Sequence, residues 1–292
     1  MTLRWLVTGA GGMVGHDVCA ALESCAETVL PLTKENLDIT DAPAVRDAVG
    51  RARPDIIINC AAYTKVDDAE ANEHLATAIN GSAVEFLAHA ANDVDALLVQ
   101  ISTDFVFDGA KRTPYEVNDP PSPLSAYGRS KLIGEQAATA ARKHVILRTA
   151  WLFGLHGPNF VEAIRNQVRK GTNPLRVVND QRGRPTYTPH LADAIVRVSR
   201  IANDDPDARG ILHYADSPEC TWFDFARAIV GDETTVNAVS SSAFPRPAQR
   251  PPYSVLSTER YERVTGVQPE SWEEGLREYL HASDTQHSPR RP

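Results

Sequence analysis

A tyrosine and a lysine four residues apart form the most informative pair of side chains in this sequence. They lie in Tyr127-Gly-Arg-Ser-Lys131, within a stretch that reads as helix. At this spacing both side chains share one helix face. A cation beside a phenol favours the phenolate and would lower a pKa that is normally about 10. The pair could therefore move a proton near neutral pH, although the same spacing also occurs by chance.

A glycine-rich turn supplies the second feature. Gly9, Gly12 and Gly15 form a GxxGxxG pattern between an apolar run and a helical pattern. Such glycines permit a tight turn, a close approach of backbone to a pyrophosphate, and close packing of helix on strand. The start of the helix also offers unpaired N–H groups to phosphates. The pattern predicts a dinucleotide site, with an ordinary glycine turn as the alternative.

The residues after the apolar segments 28–32 and 56–61 indicate which dinucleotide the site would bind. No acidic residue stands where NAD-specific proteins hold the ribose hydroxyls, whereas Thr33 and Lys34 could accompany a 2′-phosphate. NADPH is therefore favoured over NADH, unless Lys34 is only a solvated surface residue. Small residues in segment 59–64 would let the backbone approach the cofactor. The predicted cofactor-binding residues are Gly9, Gly11, Gly12, Met13, Val14, Gly15, Thr33, Lys34, Asp38, Ile39, Cys60, Ala61, Ala62, Tyr63, Tyr127 and Lys131.

The third feature is the polar segment Ser102-Thr103-Asp104, which follows an apolar run. A hydroxyl at this place could hydrogen-bond a substrate carbonyl or alkoxide and orient it for proton transfer. Ser, Thr and Asp also commonly cap turns, and this fragment alone does not separate the two readings.

Alternating strands and helices are expected to position these residues. Strands are predicted over 3–8, 28–32, 56–61, 96–102 and 145–148, with helices over 42–51 and 73–92 between them. Such alternation predicts an α/β fold, a Rossmann-type doubly wound parallel sheet with right-handed crossovers. Ligands on these sheets bind beyond the carboxyl ends of the strands, where the glycine turn and Thr103 both fall.

Beyond residue 150 the alternation weakens, and loops rich in Pro, Gly and Arg appear between helices near 159–170, 189–203 and 221–230. This pattern predicts a smaller, partly interleaved α/β lobe that binds the substrate. We expect an NAD(P)-binding domain over 1–150 that also uses about 187–212, a substrate lobe over 151–186 and 213–280, and a disordered tail over 281–292.

Composition excludes several classes of protein. The net charge of −8 and the lack of a dense basic cluster argue against nucleic-acid binding. No apolar run approaches the roughly 20 residues that cross a membrane, and no signal-peptide pattern is present, so a cytoplasmic protein is expected. Neither a disulfide framework nor a metal is predicted, because the four cysteines are scattered and His16, His156 and His190 form no recognisable ligand set.

Taken together, these motifs resemble the extended short-chain dehydrogenase/reductase family. Within it the chain is similar to the dTDP-4-dehydrorhamnose reductases over roughly residues 3 to 278. The resemblance is carried by segments 102–109, 115–116, 127–135, 148–154, 159–161, 178–187 and 250–258.

The resemblance implies NADPH-dependent reduction of the C4 ketone of dTDP-4-dehydro-β-L-rhamnose to dTDP-β-L-rhamnose, with NADH as a further possible cofactor. Tyr127 would donate the proton, Lys131 would keep the phenol acidic and bind the nicotinamide ribose, and Thr103 would hold the substrate oxygen. These three are the predicted catalytic residues. The predicted substrate-binding residues are Thr103, Phe105, Trp151, Asn159, Phe160, Arg184 and Arg250.

Some reductases of this kind are magnesium-linked dimers that use acidic side chains at the contact. A homodimer is therefore a possible assembly. Asp17 and Asp193 lie where such ligands would be, but aspartates on helices are usually solvated, and no metal is predicted.

Two other functions remain open. A nucleotide-sugar epimerase of the same superfamily would share Tyr127 and Lys131 and keep NAD through each turnover. The related dehydratases typically carry Asp-Glu after the Thr, whereas Phe105 follows Asp104 here. A non-catalytic relative, the regulatory subunit of methionine adenosyltransferase, binds NADP and a partner protein, but it would need no sugar-facing segments such as 159–161.

Overall fold

A computed structural model describes residues 2–232 and 234–287 of the chain. Its strands are β1 (Arg4–Thr8), β2 (Thr28–Leu32), β3 (Ile56–Asn59), β4 (Leu97–Thr103), β5 (His144–Thr149), β6 (Leu152–Phe153), β7 (Leu175–Val178), β8 (Arg182–Gly183), β9 (Thr186–Tyr187), β10 (Gly210–His213), β11 (Cys220–Thr221) and β12 (Val236–Val239). Its α-helices are α1 (Met13–Ser24), α2 (Ala42–Ala52), α3 (Glu73–Thr77), α4 (Ala83–Val94), α5 (Ala126–Ala138), α6 (Phe160–Arg169), α7 (Thr188–Asp204), α8 (Trp222–Val230), α9 (Glu259–Thr265) and α10 (Trp272–His287).

Six of these strands form one parallel sheet in the order β10-β5-β4-β3-β1-β2. The chain leaves β1 for β2 on one side and later returns to place β3 on the other, which creates a switch point beside β1. Ligands of doubly wound sheets bind at such a crevice, beyond the carboxyl ends of the strands. The ends of β1, β3, β4 and β5 therefore share the edge at which a site is expected.

Both faces of the sheet are covered, which explains why its central strands are continuous apolar runs. Every residue of β3 and β4 is buried. On one face the sheet packs against α1 and α7, in a cluster that includes Val18 and Ile195. On the other face it packs against α2, α4 and the end of α5, through residues such as Val49, Leu87 and Ala138. The Rossmann-type fold predicted from the sequence is confirmed.

A second core lies in the later part of the chain. Phe153, Phe225 and Trp272 are at its centre, packed with residues of α6, α8 and α10. Short two-stranded sheets, β7 with β12, β8 with β11 and β6 with β9, surround this core. The segment that contains α7 and β10 belongs instead to the large sheet, because β10 pairs with β5.

Two predicted elements differ in the structure. The helix expected over 73–92 is α3 and α4 joined by a π-helical turn, Ala78–Ser82. Within that turn the Asn80 amide donates to the Tyr63 carbonyl and to Ser130 Oγ, which ties it to two other segments. The tail expected to be disordered from residue 281 is helical to His287, because α10 is anchored by the buried side chains Trp272, Leu276 and Tyr279. The rest of the predicted tail, 288–292, lies outside the described residues.

Within the ranges that the structure describes, we find no helix that is both long and apolar enough to span a membrane.

Candidate active site

The glycine turn between β1 and α1 forms a cradle of bare backbone. Gly9 has a φ of +66°, and a Cβ atom there would lie 2.5 Å from the Ala61 nitrogen. A Cβ atom on Gly15 would lie 2.2 Å from the Gly9 carbonyl oxygen. Gly12 caps α1 without a side-chain hydrogen bond, so the first N–H groups of the helix are left for a ligand. The turn fits the pyrophosphate of a dinucleotide.

The residues predicted to meet the adenosine lie beside this turn. Thr33 Cγ2 is 3.6 Å from where a Gly11 Cβ atom would be, and its hydroxyl donates to Asn36 Oδ1 over 2.9 Å. Lys34 is exposed next to it. Asp38 accepts hydrogen bonds from Thr40, whereas the Ile39 side chain is buried in the core and only its backbone or edge could meet an adenine.

Replacing Gly15 tests the cradle. We expect Gly15→Ala to bind NADPH at least about tenfold more weakly, because the new methyl group must push the Gly9 carbonyl aside. Gly50→Ala is the matched control, since a Cβ atom on Gly50 meets nothing within 4 Å. This control should keep the affinity and gain roughly 0.5–1 kcal/mol of helix stability. Calorimetric titration with NADPH checks both variants, and equal dissociation constants would contradict the cradle.

Thr103, Asp104 and Tyr127 meet at the carboxyl end of β4. The Thr103 hydroxyl donates to Asp104 Oδ1 over 3.0 Å and accepts from the Phe105 N–H over 3.2 Å. Thr103 also interacts with the Tyr127 hydroxyl. The Phe105 ring meets the Tyr127 ring edge-on, with centroids 5.6 Å apart. The structure thus brings the predicted hydroxyl and phenol together.

The expected acidity of Tyr127 is wrong for this structure. Burial raises its pKa to about 12, and the charge of Asp104 adds to the rise, while the interaction with Thr103 opposes it. The Lys131 Nζ donates to the Ile101 carbonyl over 2.6 Å, and the charge of Lys131 is not among the causes that shift the pKa of Tyr127. Burial lowers the pKa of Lys131 to about 8, against the opposing charge of Glu135. Tyr127 is therefore held as a neutral phenol, the form that donates a proton.

A buried ion pair lies behind these residues and was missed from the sequence. The Arg148 guanidinium donates to both oxygens of Glu135, over 2.8 and 2.7 Å, and the two side chains are 1% and 4% exposed. Ser102 donates to the same carboxylate over 2.6 Å. His213 Nε2 lies 3.3 Å from Arg148, and burial together with that charge lowers its pKa to about 3. The pair fixes β4, α5 and β5 to one another.

A cavity of about 770 Å³ opens beside Phe105 and extends into the second core. Its walls carry the planar groups that suit a nucleotide: aromatic rings for a base or sugar and guanidinium groups for phosphates. The rings are Phe105, Trp151, Phe160, Trp222 and Phe244, and the guanidinium groups are Arg176, Arg246 and Arg250.

The predicted substrate residues divide into two groups. Phe105, Trp151, Phe160 and Arg250 line the cavity. Arg184 is absent from its lining; its Nη1 donates to Thr258 Oγ1 over 3.4 Å.

Asn159 is also absent from the lining, because its amide serves the fold. Its Oδ1 caps α6 by accepting from the Glu162 N–H over 3.1 Å. Its Nδ2 donates to the Gly154 carbonyl over 2.8 Å. The predicted contacts of Asn159 and Arg184 with the nucleotide stay predictions.

The cavity also contains residues that sequence reasoning missed. Trp222 stacks on Trp151 with ring centroids 3.6 Å apart and an angle of 8°. Trp151 itself has a φ of +49°, a strained conformation for a bulky residue that tends to occur at functional sites. Asp67, which lies in the loop after β3 and outside the cavity lining, accepts from both terminal nitrogens of Arg250 over 2.8 and 2.9 Å. The sequence carried no signal that Arg176 and Trp222 belong to the site, beyond a cation and an aromatic residue within the predicted substrate lobe.

The histidines are less dispersed than the sequence indicated. The rings of His16 and His156 stack with centroids 3.4 Å apart, and Asp17 completes a group whose ligand atoms lie within 4.8 Å of one another. Burial lowers the pKa of His156, and His16 contributes to the shift. His190 instead pairs with the buried Asp216, at 2.9 Å.

The chain is similar to known proteins over most of its length. Residues 3–285 match the family described as RmlD substrate binding domain. The dTDP-4-keto-6-deoxy-D-glucose reductase of Streptomyces niveus is 42% identical over 276 residues, 92% of this chain and 93% of that one. The dTDP-4-dehydrorhamnose reductase of Streptomyces griseus is 41% identical over 283 residues, 94% of this chain and 92% of that one. The crystal structure of dTDP-4-dehydrorhamnose reductase from Bacillus anthracis in complex with NADP is 37% identical, covers 97% of this chain and 100% of that one, and has a TM-score of 0.89.

Proposed function

The chain belongs to the RmlD substrate binding domain family, and from this membership we propose that it is an NADPH-dependent reductase of a dTDP-bound 4-keto sugar. The most specific substrate we propose is dTDP-4-dehydro-β-L-rhamnose, reduced to dTDP-β-L-rhamnose. The observation that carries the proposal is the meeting of Thr103 and Tyr127 beside Phe105, whose ring contacts Tyr127 and lines the cavity of aromatic rings and arginines. Relatives named as reductases of dTDP-4-keto sugars, and one solved with NADP, support it.

The residues of this chain would supply orientation and a proton. When bound on the glycine turn, the reduced nicotinamide supplies the hydride for C4 of the sugar. Tyr127, kept neutral by its surroundings, donates its proton to the oxygen that becomes the hydroxyl. Thr103 holds the same oxygen, which stabilises the charge that develops on it. Lys131, tied to the Ile101 carbonyl, positions the face of α5 that carries Tyr127.

The assignment of cofactor and sugar nucleotide to two different parts of the chain is also a proposal. Residues 1–150 with about 187–212 would bind the cofactor, since the β10 strand completes the sheet that carries the glycine turn. Residues 151–186 and 213–280 would bind the sugar nucleotide, since they supply most of the cavity wall. A cytoplasmic location and a homodimer stay predictions.

The cavity arginines are expected to contribute to nucleotide affinity. Arg176 is exposed, lines the cavity and lies over the Phe244 ring at 5.5 Å. Loss of one charge-assisted contact to a phosphate should raise KM for the sugar nucleotide in Arg176→Gln about tenfold, with kcat little changed. Arg169→Gln is the matched control, because Arg169 lies outside the cavity and pairs with Glu162. Equal KM values for both variants would remove Arg176 from the site.

The decisive experiment supplies the keto sugar in two forms. A 4,6-dehydratase converts dTDP-glucose into dTDP-4-keto-6-deoxy-D-glucose, and adding a 3,5-epimerase converts this product into the L-rhamno form. We expect NADPH consumption only when both enzymes are present. Consumption without the epimerase would assign the D-gluco sugar instead.

Other outcomes identify the competing functions. A nucleotide-sugar epimerase would interconvert sugars without net NADPH consumption, which chromatography of the dTDP-sugars would show. Folded protein that binds NADPH but changes no sugar in either arm would favour the non-catalytic regulatory subunit. Either result would overturn the proposed reduction.

A further inference from the structure

A segment rich in proline, residues 245–252, forms one wall of the cavity and is held from outside by a single carboxylate. Asp67 lies in the loop after β3, so it belongs to the part of the chain that forms the large sheet. Its Oδ1 accepts from the Ala248 N–H over 3.2 Å and from Arg250 Nη1 over 2.8 Å. Its Oδ2 accepts from Arg250 Nη2 over 2.9 Å. The contact therefore joins two parts of the chain that are distant in sequence.

The hydrogen bonds of Arg250 engage only one end of its guanidinium group, which has five N–H donors. Nη1 donates to Asp67 and, over 2.7 Å, to the Ala248 carbonyl, so both of its hydrogens are used. Nη2 gives one hydrogen to Asp67. Among the residues that the structure describes, the second Nη2 hydrogen and the Nε hydrogen have no partner. These two hydrogens share one edge of the planar group and form a fork that matches two oxygens of a phosphate.

The surroundings of this fork also suit an anion. Arg246 and Arg250 both line the cavity, and Arg246 Nη1 lies 3.6 Å from Asp67 Oδ2. The hydrogen bond from Arg250 lowers the pKa of Asp67, against the opposing effect of burial, so the carboxylate is ionised at neutral pH. Two guanidinium groups and one carboxylate leave a net positive charge. Because Asp67 already holds Arg250, a ligand does not bear the entropy cost of fixing that long side chain.

We propose that Asp67 is a positioning residue that holds one end of the Arg250 guanidinium, so that the free Nε and Nη2 edge is presented to the diphosphate of the sugar nucleotide. Asp67 acts through Arg250 and does not touch the ligand. This inference rests on the proposed function, because it takes the dTDP part of the substrate as the ligand of the cavity.

The variant Asp67→Asn distinguishes positioning from simple electrostatics, because the two effects have opposite signs. Loss of a negative charge near the cavity would by itself strengthen the binding of an anion. An asparagine side chain can accept through one atom only and turns an NH₂ group toward the guanidinium, which releases Arg250. We therefore expect Asp67→Asn to bind dTDP about tenfold more weakly, as measured by calorimetric titration of the full chain. Unchanged or tighter binding would overturn the proposal.

A matched control and a second titration show whether the effect is local. Glu73 holds Arg129 through two hydrogen bonds of 2.7 and 2.9 Å, and neither residue lines the cavity. Glu73→Gln should therefore bind dTDP as the wild type does. Both variants should keep their affinity for NADPH within about twofold. If Asp67→Asn lost affinity for both ligands to the same degree, Asp67 would support the fold in general and the proposal would fail.

A double mutant tests whether Asp67 acts through Arg250. In an Arg250→Gln background the guanidinium is gone, so adding Asp67→Asn should weaken dTDP binding no further. A second tenfold loss in that background would contradict the role proposed for Asp67. In turnover, Asp67→Asn should raise KM for the keto sugar about tenfold and leave kcat within about twofold, because the contact is remote from the reacting carbonyl.

The dTDP titrations need no turnover, so they separate this inference from the proposed reduction. If the wild type reduces no keto sugar but Asp67→Asn still loses its affinity for dTDP, the proposed function fails and the role of Asp67 toward a nucleoside diphosphate stands. If the wild type binds no dTDP, the role of Asp67 fails. If the wild type reduces the keto sugar and Asp67→Asn binds dTDP equally well, only the inference about Asp67 is lost.

Discussion

Tyr127→Phe is expected to lose about 10²- to 10⁴-fold in kcat, the usual contribution of a positioned acid or base. The variant keeps the ring that packs against Phe105, so the site should retain its shape. What it loses is the phenol proton beside Thr103. Affinity for NADPH should stay within about twofold, because Tyr127 is only one of many predicted cofactor contacts and the glycine cradle is left intact.

The raised pKa of Tyr127 sharpens this expectation. A phenol with a pKa of about 12 is almost wholly protonated at neutral pH, so reduction has its proton available in every molecule. Rates of NADPH consumption with saturating keto sugar measure the loss. Tyr261→Phe is the matched control, since Tyr261 is a buried tyrosine in the core beside α7, away from Thr103. Should Tyr127→Phe turn over as fast as this control, the proton must come from another group.

Glu135→Gln is expected to destabilise the fold by about 3–5 kcal/mol, the range found when one partner of a buried ion pair is removed. The amide has nearly the shape of the carboxylate but no charge. The Arg148 guanidinium, 1% exposed, would then be left without a counter-ion. The neighbouring His213 cannot replace the lost carboxylate, because an imidazole carries no negative charge and its lowered pKa keeps it neutral.

An exposed ion pair on the same helix provides the control. Arg129 of α5 donates to Glu73 over 2.7 Å, but the two side chains are 43% and 44% exposed. Glu73→Gln should therefore cost at most about 1 kcal/mol. The free energies of unfolding from urea titrations give the comparison. Equal losses of unfolding free energy in the two variants would show that the buried ion pair matters no more for stability than the exposed one.

Much of the fold could be predicted because its signals are local. The glycine turn, the buried apolar strands β3 and β4, and the helix around Tyr127 depend on spacing and composition over a few residues. The π-helical turn at Ala78–Ser82 could not be read in this way, since Asn80 is held by partners distant in sequence. The sequence did not predict how far α10 extends for the same reason, because the side chains that hold this helix are buried in the second core.

The chemistry of the site was likewise predictable where it depends on residue type and not where it depends on long-range contacts. Residue types, spacing and the family resemblance together predicted Thr103, Tyr127 and Lys131 as the groups that could act on a carbonyl. Burial and long-range contacts decided how those groups behave. Packing raised the pKa of Tyr127, paired the Lys131 Nζ with the Ile101 carbonyl, and buried Asp104 beside Thr103. A pKa depends on hydration and on charges in three dimensions, so the spacing of Tyr127 and Lys131 predicted which groups could react, while only the tertiary structure set their protonation.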